Sequence, residues 1–309
     1  MQVHRDLDQL PLFRNAVVTI GTFDGVHMGH RQVIEHLKAE AKSNNGESVI
    51  ITFHPHPKKV VSSSILGIRL INTLEERIDL LNQLGIGHLV VVPFTEVFAN
   101  QTAEDYIKNF LIDRFQPHTI IIGYDHRFGR DRLGDYRLLE SKSAQYGFRL
   151  KEIPKHILDN ISISSTNIRE AILHHDTETA HTLLGYDFFF SGVVVHGDKL
   201  GRKLGYPTAN LEIMDKEKII PGNGIYAVYA QTEDSPERKK GMMSIGFRPT
   251  VDGKKRVVEV HIIDFDNEIY GQTLKVFVKK FLRPEIKFEN LEALVKQIDQ
   301  DKMESLKVL

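Results

Sequence analysis

Apolar and polar residues form two different patterns in the first half of the chain. Short runs rich in β-branched residues predict buried strands, and the segments between them carry apolar residues at helical spacing. Thr73 and Glu76 form a capping-box pattern at the start of one such segment. The predicted strands are residues 16–20, 49–53, 89–92, 119–122 and 149–153, and the predicted helices are residues 31–42, 73–84, 103–115 and 138–146. Strands that alternate with helices indicate a parallel sheet covered on both faces.

The pattern changes after about residue 185. Short extended segments, separated by Gly, Pro, Asn and Asp, now follow one another, as at residues 225–231, 257–265 and 273–281. This spacing is typical of an antiparallel barrel or sandwich. Residues 165–184 predict one or two helices between the halves, and residues 291–306 predict a terminal helix. We therefore expect an α/β domain over residues 1–184 and an all-β domain over residues 185–309.

Composition narrows the class of protein. The 309 residues include 40 Lys and Arg against 41 Asp and Glu, for a formal net charge of -1. Proteins that bind nucleic acid usually carry a basic excess, so we expect no such partner. The basic runs at 238–240 and 254–256 are interpreted as solvated loops. The chain has no Cys, which excludes disulfides, Cys-type zinc sites and thiolate catalysis.

The amino terminus does not resemble a targeting signal. Residues 1–6 include acidic and polar residues where a signal peptide has an apolar core, and the longest apolar runs are far too short to span a bilayer. We therefore expect a cytoplasmic protein without a membrane partner.

A loop rich in Gly and His follows the first of these predicted strands and leads into a helix. In a parallel sheet, ligands bind where strands end and helices begin, because the first N–H groups of a helix attract phosphate. His27 and His30 add imidazole groups to this loop, and its glycines let the backbone approach a ligand closely. Two histidines at a helix start are otherwise caps or surface residues, and their spacing also permits zinc. The candidate ATP-binding residues here are Gly21, Phe23, Gly25, His27, Gly29 and His30.

A second loop whose residues could bind a ligand begins near residue 196 and ends near residue 211. It contains three glycines and three basic residues, a composition suited to enclosing phosphates, although the chain has no P-loop motif. Thr208 and Asn210 lie two residues apart, so in an extended segment their oxygens point to the same side. Oxygen ligands suit Mg²⁺. A glycine-rich hairpin is the structural alternative for any short part of this loop.

The first half resembles the FAD synthetase branch of the nucleotidyltransferases. The motif of residues 21–30 is joined in order by residues 52–57, 123–129 and 163–169. The resemblance implies a Rossmann-like domain in which Ser165, Thr166 and Arg169 hold ATP phosphates and Asp125 helps to position nucleotide or flavin. It also implies catalytic roles for His27 and His30, and the flavin-binding candidates are His56, Pro57, Asp125 and Arg127. Position 126, where the family has an aromatic residue, is His126.

The second half resembles riboflavin kinase. The resemblance covers residues 192–211 and continues through residues 224–226, 244–249, 259–261, 269–271 and 282–285. It implies a six-stranded barrel in which Glu259 is the catalytic base. The implied ATP-binding residues are Gly197, Lys199, Gly201, Gly205, Pro207, Thr208 and Asn210, of which Thr208 and Asn210 are the metal candidates. Arg283 and Glu285 are flavin-binding candidates.

The two resemblances together imply a bifunctional enzyme. It would phosphorylate riboflavin to FMN and adenylylate FMN to FAD, with Mg²⁺ as cofactor and ATP as co-substrate. A second interpretation, motivated by His126, retains only one of the two activities. A third is a non-catalytic sensor of flavin or nucleotide, although pure binding does not require a base such as Glu259.

Overall fold

The computed structural model describes residues 1–61, 69–197, 200–250 and 253–309. The chain divides into two compact units, Met1–Thr166 and Asn167–Leu309. The functional boundary expected after residue 184 stays a prediction. No helix within the described ranges is long and apolar enough to cross a membrane.

The first unit is built on a six-stranded parallel sheet, in which the parallel arrangement and five of the strands agree with the sequence prediction. Its spatial order is β1-β4-β3-β2-β5-β6, and every neighbouring pair is parallel. Buried β-branched and aliphatic residues fill the inner strands, which suits a sheet covered on both faces. The strands are β1 (Gln2–His4), β2 (Val17–Ile20), β3 (Ser48–His54), β4 (His88–Pro93), β5 (Thr119–Ile122) and β6 (Arg149–Glu152).

The helices of this unit also agree well with the predicted pattern. The capping box is present, because Thr73 accepts from the Glu76 backbone N–H and the Glu76 carboxylate accepts from the Thr73 N–H. The segment predicted as one helix over 103–115 contains a π-helical stretch at Tyr106–Ile112. The helices that begin in this unit are α1 (Met28–Ser43), α2 (Pro57–Val61), α3 (Leu74–Gln83), α4 (Glu96–Ala99), α5 (Ala103–Asp105), α6 (Asp113–Phe115), α7 (Tyr136–Tyr146) and α8 (Lys155–Leu173).

The second unit contains a closed antiparallel barrel and a terminal helix, which confirms the predicted class. The barrel order is β10-β11-β8-β7-β12-β9. On β11, Val258, Val260 and Ile262 are buried, whereas the alternate residues Glu259 and His261 lie on the other face. The elements are α9 (Thr177–Leu184), β7 (Phe189–Val195), α10 (Leu200–Lys203), β8 (Ala209–Glu212), β9 (Gly224–Thr232), β10 (Lys239–Thr250), β11 (Gly253–Ile262), β12 (Thr273–Arg283) and α11 (Leu291–Val308).

Expectations for three segments were wrong. The residues at 163–169 were expected to begin a helix, but α8 already begins at Lys155, so Ser165 and Thr166 lie inside it. The basic runs were expected in loops, but Lys239 and Lys240 open β10, and Lys255 and Arg256 lie within β11. Charged side chains fit these strands because one face of an antiparallel barrel is open to solvent.

Candidate active sites

The loop at residues 21–30 lies at the carboxyl edge of the parallel sheet. It follows β2, whose neighbours are β3 and β5. Because the strands are parallel, the segments after β3 and β5 leave the same edge. The chain connects β2 to β3 on one side and reaches β5 on the other, so the edge contains a topological switch point. Such a point is where open α/β sheets bind ligands.

Two glycines give the loop a backbone course that other residues would not allow. Gly25 has φ +92°, a conformation that side chains rarely adopt. Gly29 lies in the first turn of α1, where an added Cβ would approach the Ile161 side chain to 2.8 Å and its backbone to 3.2 Å. Gly29 therefore lets α8 pack directly against the start of α1.

The two histidines form a stacked, buried pair. Their ring centroids lie 3.9 Å apart, and Phe23 lies 5.1 Å from His30. The close packing of α8 brings Ser165 Oγ to 2.9 Å from His27 Nε2. Burial, and secondarily the charges of His27 and Arg77, lower the pKa of His30 well below its ordinary value. His30 is therefore held as a neutral imidazole rather than as a cation.

The N-terminus of α1 completes the polar surface of this loop. His27 is the N-cap residue and places no side-chain hydrogen bond on the first turn. The 16-residue helix directs its positive end toward the loop, which favours an anionic ligand. Within the described residues, no group of three or more His, Cys, Asp or Glu side chains is arranged to hold a metal ion.

The other predicted residues of this half have different surroundings. Thr166 is exposed, and Arg169 is partly buried in the part of α8 that belongs to the second unit. His56 and Pro57 follow β3, where His56 Nδ1 accepts from the Lys58 backbone N–H. Asp125 and Arg127 are exposed in the loop after β5.

Hydrogen bonds between its own residues stabilise the loop after β5. The Arg127 guanidinium donates to the carbonyls of Tyr124 and His126, at 3.3 and 3.2 Å. Burial, and then the charges of Arg132 and Arg127, lower the pKa of His126 to about 4. His126 is therefore neutral at physiological pH.

We expect this histidine to make the protein acid-sensitive. A pKa of about 4 in the folded state, against 6.5 ordinarily, means that protonation favours unfolding. The contribution of neutral His126 to the free energy of unfolding is complete above pH 6.5. It is lost as the pH falls toward 4, at up to about 1.4 kcal/mol per pH unit. Urea unfolding at pH 7, 6 and 5 should show a flatter pH dependence for His126→Phe. If the free energy of unfolding falls equally with pH in the parent protein and in His126→Phe, His126 is not the source of the acid sensitivity.

In the second unit, a row of polar residues crosses three adjacent strands. Glu259 on β11 pairs in register with Asn210 on β8 and with Ser244 on β10. Cross-strand partners lie on the same face of a sheet, so their side chains are neighbours. The structure thus brings together the predicted base and one of the predicted metal ligands.

The glycines of the preceding loop make room for these side chains. A Cβ on Gly197 would lie 2.2 Å from Asn210 Nδ2, so the Asn210 amide packs directly over the Gly197 backbone. A Cβ on Gly201 would lie 2.3 Å from the Tyr206 carbonyl and 3.4 Å from Thr208 Oγ1. Gly205 has φ +82°. Lys199 lies outside the described residues.

An open cleft is lined from β11 by Val260 and Ile262, which lie on the face of the strand opposite Glu259. His261 Nδ1 donates to the Pro207 carbonyl at 2.8 Å, which fixes the chain just before Thr208. Arg202 and Glu268 contribute charged groups at the wall. The lining residues are Val194, Arg202, Pro207, Thr208, Ala209, Val260, Ile262, Phe265, Asn267, Glu268, Ile269 and Tyr270.

Arg248 is a site residue to which the sequence assigned no role. Its Nη2 contacts Glu259 at 3.0 Å and its Nη1 contacts Glu285 at 3.2 Å. Gly246 lies beneath this fork, because a Cβ there would lie 1.9 Å from a Glu285 carboxylate oxygen. The two carboxylates and the guanidinium therefore form one connected group beside Asn210.

Arg283 has a different environment from Glu285. Its guanidinium forms a two-point ion pair with the buried Asp301 of α11, at 2.8 and 2.6 Å. The Tyr206 hydroxyl, at the end of the glycine loop, donates to Asp299 of the same helix. The terminal helix thus anchors both the end of β12 and the segment that precedes Thr208.

Comparison with known proteins assigns each half to a family. The family described as FAD synthetase matches residues 11–167, and the family described as riboflavin kinase matches residues 184–309. Arg77 and His30 fall in the first match, and Glu259 and Arg248 fall in the second.

Curated relatives match across nearly the whole chain under one description, bifunctional riboflavin kinase/FMN adenylyltransferase. The protein from Buchnera aphidicola is 38% identical over 290 residues, which cover 93% of this chain and 92% of that protein. The Escherichia coli protein is 35% identical over 299 residues, covering 96% and 94%. The Listeria monocytogenes protein is 35% identical over 292 residues, covering 94% and 91%.

A solved structure shares the fold over the full length. It is a crystal structure described as a macrolide-efflux protein from Streptococcus pneumoniae, with 29% identity and a TM-score of 0.83. The match covers 98% of this chain and 97% of that chain. The two domain matches and the full-length relatives agree, and the chain belongs to the bifunctional riboflavin kinase/FMN adenylyltransferase family.

Proposed function

We propose that the chain catalyses two ATP-dependent reactions in flavin cofactor synthesis. Riboflavin and ATP give FMN and ADP, and FMN and ATP then give FAD and pyrophosphate. One observation carries the proposal: each family-matched segment contains its own cluster of converging polar side chains. His27, His30 and Ser165 form the first cluster, and Asn210, Glu259 and Arg248 belong to the second.

In the kinase reaction, the terminal hydroxyl of the ribityl chain attacks the γ-phosphorus of ATP. An O–P bond forms, the bond to the β-phosphate oxygen breaks, and ADP leaves. Glu259 accepts the hydroxyl proton, a role that a positioned carboxylate fulfils in phosphoryl transfer. Arg248 holds this carboxylate from one side. Glu285, on the other arm of the same guanidinium, is the candidate flavin-binding carboxylate.

The residues beside Glu259 fit a magnesium ion that arrives with ATP. Thr208 and Asn210 supply neutral oxygens, and no cluster of three acidic or imidazole side chains is present in the described ranges to hold a metal alone. This set suits Mg²⁺, which keeps waters and binds through substrate phosphates with few protein ligands. When bound, Mg²⁺ would neutralise phosphate charge. Gly197 and Gly201 would leave the backbone close to the same phosphates.

In the adenylyl transfer reaction, a phosphate oxygen of FMN attacks the α-phosphorus of ATP and pyrophosphate leaves. The attacking oxygen is already ionised at neutral pH, so no base is required. The task of the protein is to position two anionic substrates and to stabilise the charge of the leaving group. The start of α1, with His27, His30 and Ser165, supports this role. Thr166, Arg169, Asp125, Arg127, His56 and Pro57 stay candidate binding residues.

The proposal is tested by supplying each flavin separately. Purified protein is incubated with ATP, Mg²⁺ and either riboflavin or FMN, and the flavins are separated by chromatography. We expect riboflavin to yield FMN and then FAD, and FMN to yield FAD. FMN without FAD would reduce the function to a kinase, and conversion of FMN alone would reduce it to an adenylyltransferase. No conversion of either flavin would overturn the proposal.

We expect Gly197→Ala to remove most of the kinase activity. The new Cβ would lie 2.2 Å from Asn210 Nδ2 and 2.6 Å from Cγ, so the Asn210 side chain must leave its present position beside Glu259. A loss of about 10²-fold in FMN formation is expected, since small displacements of positioning groups have effects of this size. Initial rates with riboflavin measure it.

Gly205→Ala is the matched control for this substitution. Its Cβ would meet nothing within 4 Å, but its φ of +82° is unfavourable for Ala. It therefore introduces backbone strain in the same loop without touching Asn210. A kinase loss as large as that of Gly197→Ala would show that loop strain, rather than displacement of Asn210, governs activity.

A further inference from the structure

Arg77 is a fully buried cation in the first unit. It lies in α3, and only 2% of its surface is exposed. Arginine is among the residues least often buried without a charged partner, because a charge removed from water loses its hydration. Among the described residues, no carboxylate lies within 4.0 Å of its guanidinium, and its Nε has no hydrogen-bond partner.

The hydrogen bonds of Arg77 join two strand ends at the candidate adenylyl-transfer site. Its Nη1 donates to the Thr22 carbonyl at 2.6 Å and to Thr52 Oγ1 at 3.1 Å. Thr22 belongs to the loop after β2, immediately before Phe23, and Thr52 lies near the end of β3. The guanidinium is thus hydrogen-bonded to the backbone of the loop that leads to His27 and His30.

The charge of Arg77 is only partly compensated. Asp24 is the acidic group that acts on it, but Asp24 Oδ1 already accepts from the backbone N–H groups of Ile71 and Asn72. Burial still lowers the pKa of Arg77, so the loss of hydration outweighs the attraction of Asp24. The Arg77 charge also acts electrostatically on His30 and helps to lower the pKa of that residue.

We propose that Arg77 is a positioning residue of the adenylyltransferase site, which holds the loop at Thr22 and supplies buried positive charge for the polyphosphate of ATP. The inference rests on the proposed FMN adenylyltransferase activity and deepens it. A polyphosphate bound at the start of α1 would add counter-charge to the partial compensation that Asp24 provides. Arg77 acts through the loop and through its field, without contacting the reacting atoms.

The experiment compares Arg77→Met with the conservative Arg77→Lys. We expect Arg77→Met to raise the KM for ATP in FMN adenylylation, and the inhibition constant of pyrophosphate, about tenfold. Arg77→Lys keeps the charge, so its KM for ATP and its inhibition constant for pyrophosphate should lie close to those of the parent protein. The KM for ATP in riboflavin phosphorylation serves as an internal control in the same polypeptide and should not change.

A second variant tests the charge without removing Arg77. Asp24→Asn keeps the Oδ1 acceptor for Ile71 and Asn72 but removes the partial counter-charge. Pyrophosphate should then inhibit adenylylation more strongly than in the parent protein. This gain distinguishes an electrostatic role from a structural one, and it stays measurable if Arg77→Met does not fold.

The possible failures are distinguishable. If the parent protein makes no FAD from FMN, the proposed function is wrong. If it makes FAD but Arg77→Met leaves both constants within about twofold, the role of Arg77 is structural and the inference is overturned. Unchanged or weaker pyrophosphate inhibition in Asp24→Asn would overturn it equally.

Discussion

Glu259→Gln is expected to lower the rate of FMN formation by about 10³-fold, within the usual range for loss of a general base. The substitution keeps the size of the side chain and its register partners Asn210 and Ser244. It removes the group that would accept the ribityl hydroxyl proton. FAD formation from supplied FMN should be unchanged, because that reaction is assigned to residues of the other unit. Initial rates with riboflavin and with FMN measure the two effects on one preparation.

Glu285→Gln is the matched control, because it disrupts the other arm of the same Arg248 fork. If Glu259 is the base, Glu285→Gln should mainly raise the KM for riboflavin and leave kcat within about tenfold. Equal losses of kcat in the two variants would indicate that the integrity of the ion-pair group matters and that Glu259 is not the base.

The sequence revealed most of the fold because the two units obey simple periodicities. The buried inner strands of a parallel sheet read as continuous apolar runs, and the barrel strand β11 reads as an alternation around Val258 and Val260. Local chemistry marked the start of α3, where Thr73 and Glu76 form the expected capping box. In these elements, local preference and tertiary burial point to the same structure.

Elsewhere local preference and tertiary structure disagree. The Ser and Thr residues at 164–166 are typical of a helix start, yet α8 begins at Lys155 and carries Ser165 toward His27 from within the helix. Strand β1 has only three residues and depends on pairing with β4, so nothing in its own pattern distinguishes it. Long-range packing decides both cases.

The site residues divide in the same way. Glycine loops and their histidines are contiguous motifs, and the structure brings His27, His30 and Ser165 together. The Arg248 fork joins residues 37 positions apart, and only closure of the barrel creates it. Arg77 did carry a signal, because it lies three residues after Leu74 and three before Leu80, on the apolar face of α3.

His30→Gln is expected to lower FAD formation by 10²- to 10³-fold, the usual effect of removing one positioned donor from a phosphoryl or acyl transfer site. His30 is 8% exposed, is stacked on His27, lies beside the tilted ring of Phe23, and has no partner at Nδ1. Gln keeps a polar group but loses the ring. Because the rest of the loop is held by Gly29, Asp24 and Arg77, the loss should appear mainly in kcat for adenylylation, with riboflavin phosphorylation unchanged.

The same helix supplies the control for this prediction. His36 is exposed on α1, six residues further along, so His36→Gln makes the same chemical change away from the loop. It should leave both activities at the level of the parent protein. If His30→Gln behaves like His36→Gln, the imidazole of His30 serves only to fill the space between His27 and Phe23. The stabilisation of the departing pyrophosphate would then have to come from the backbone N–H groups of α1 and the charge of Arg77, and the Arg77 substitutions would become the decisive measurement.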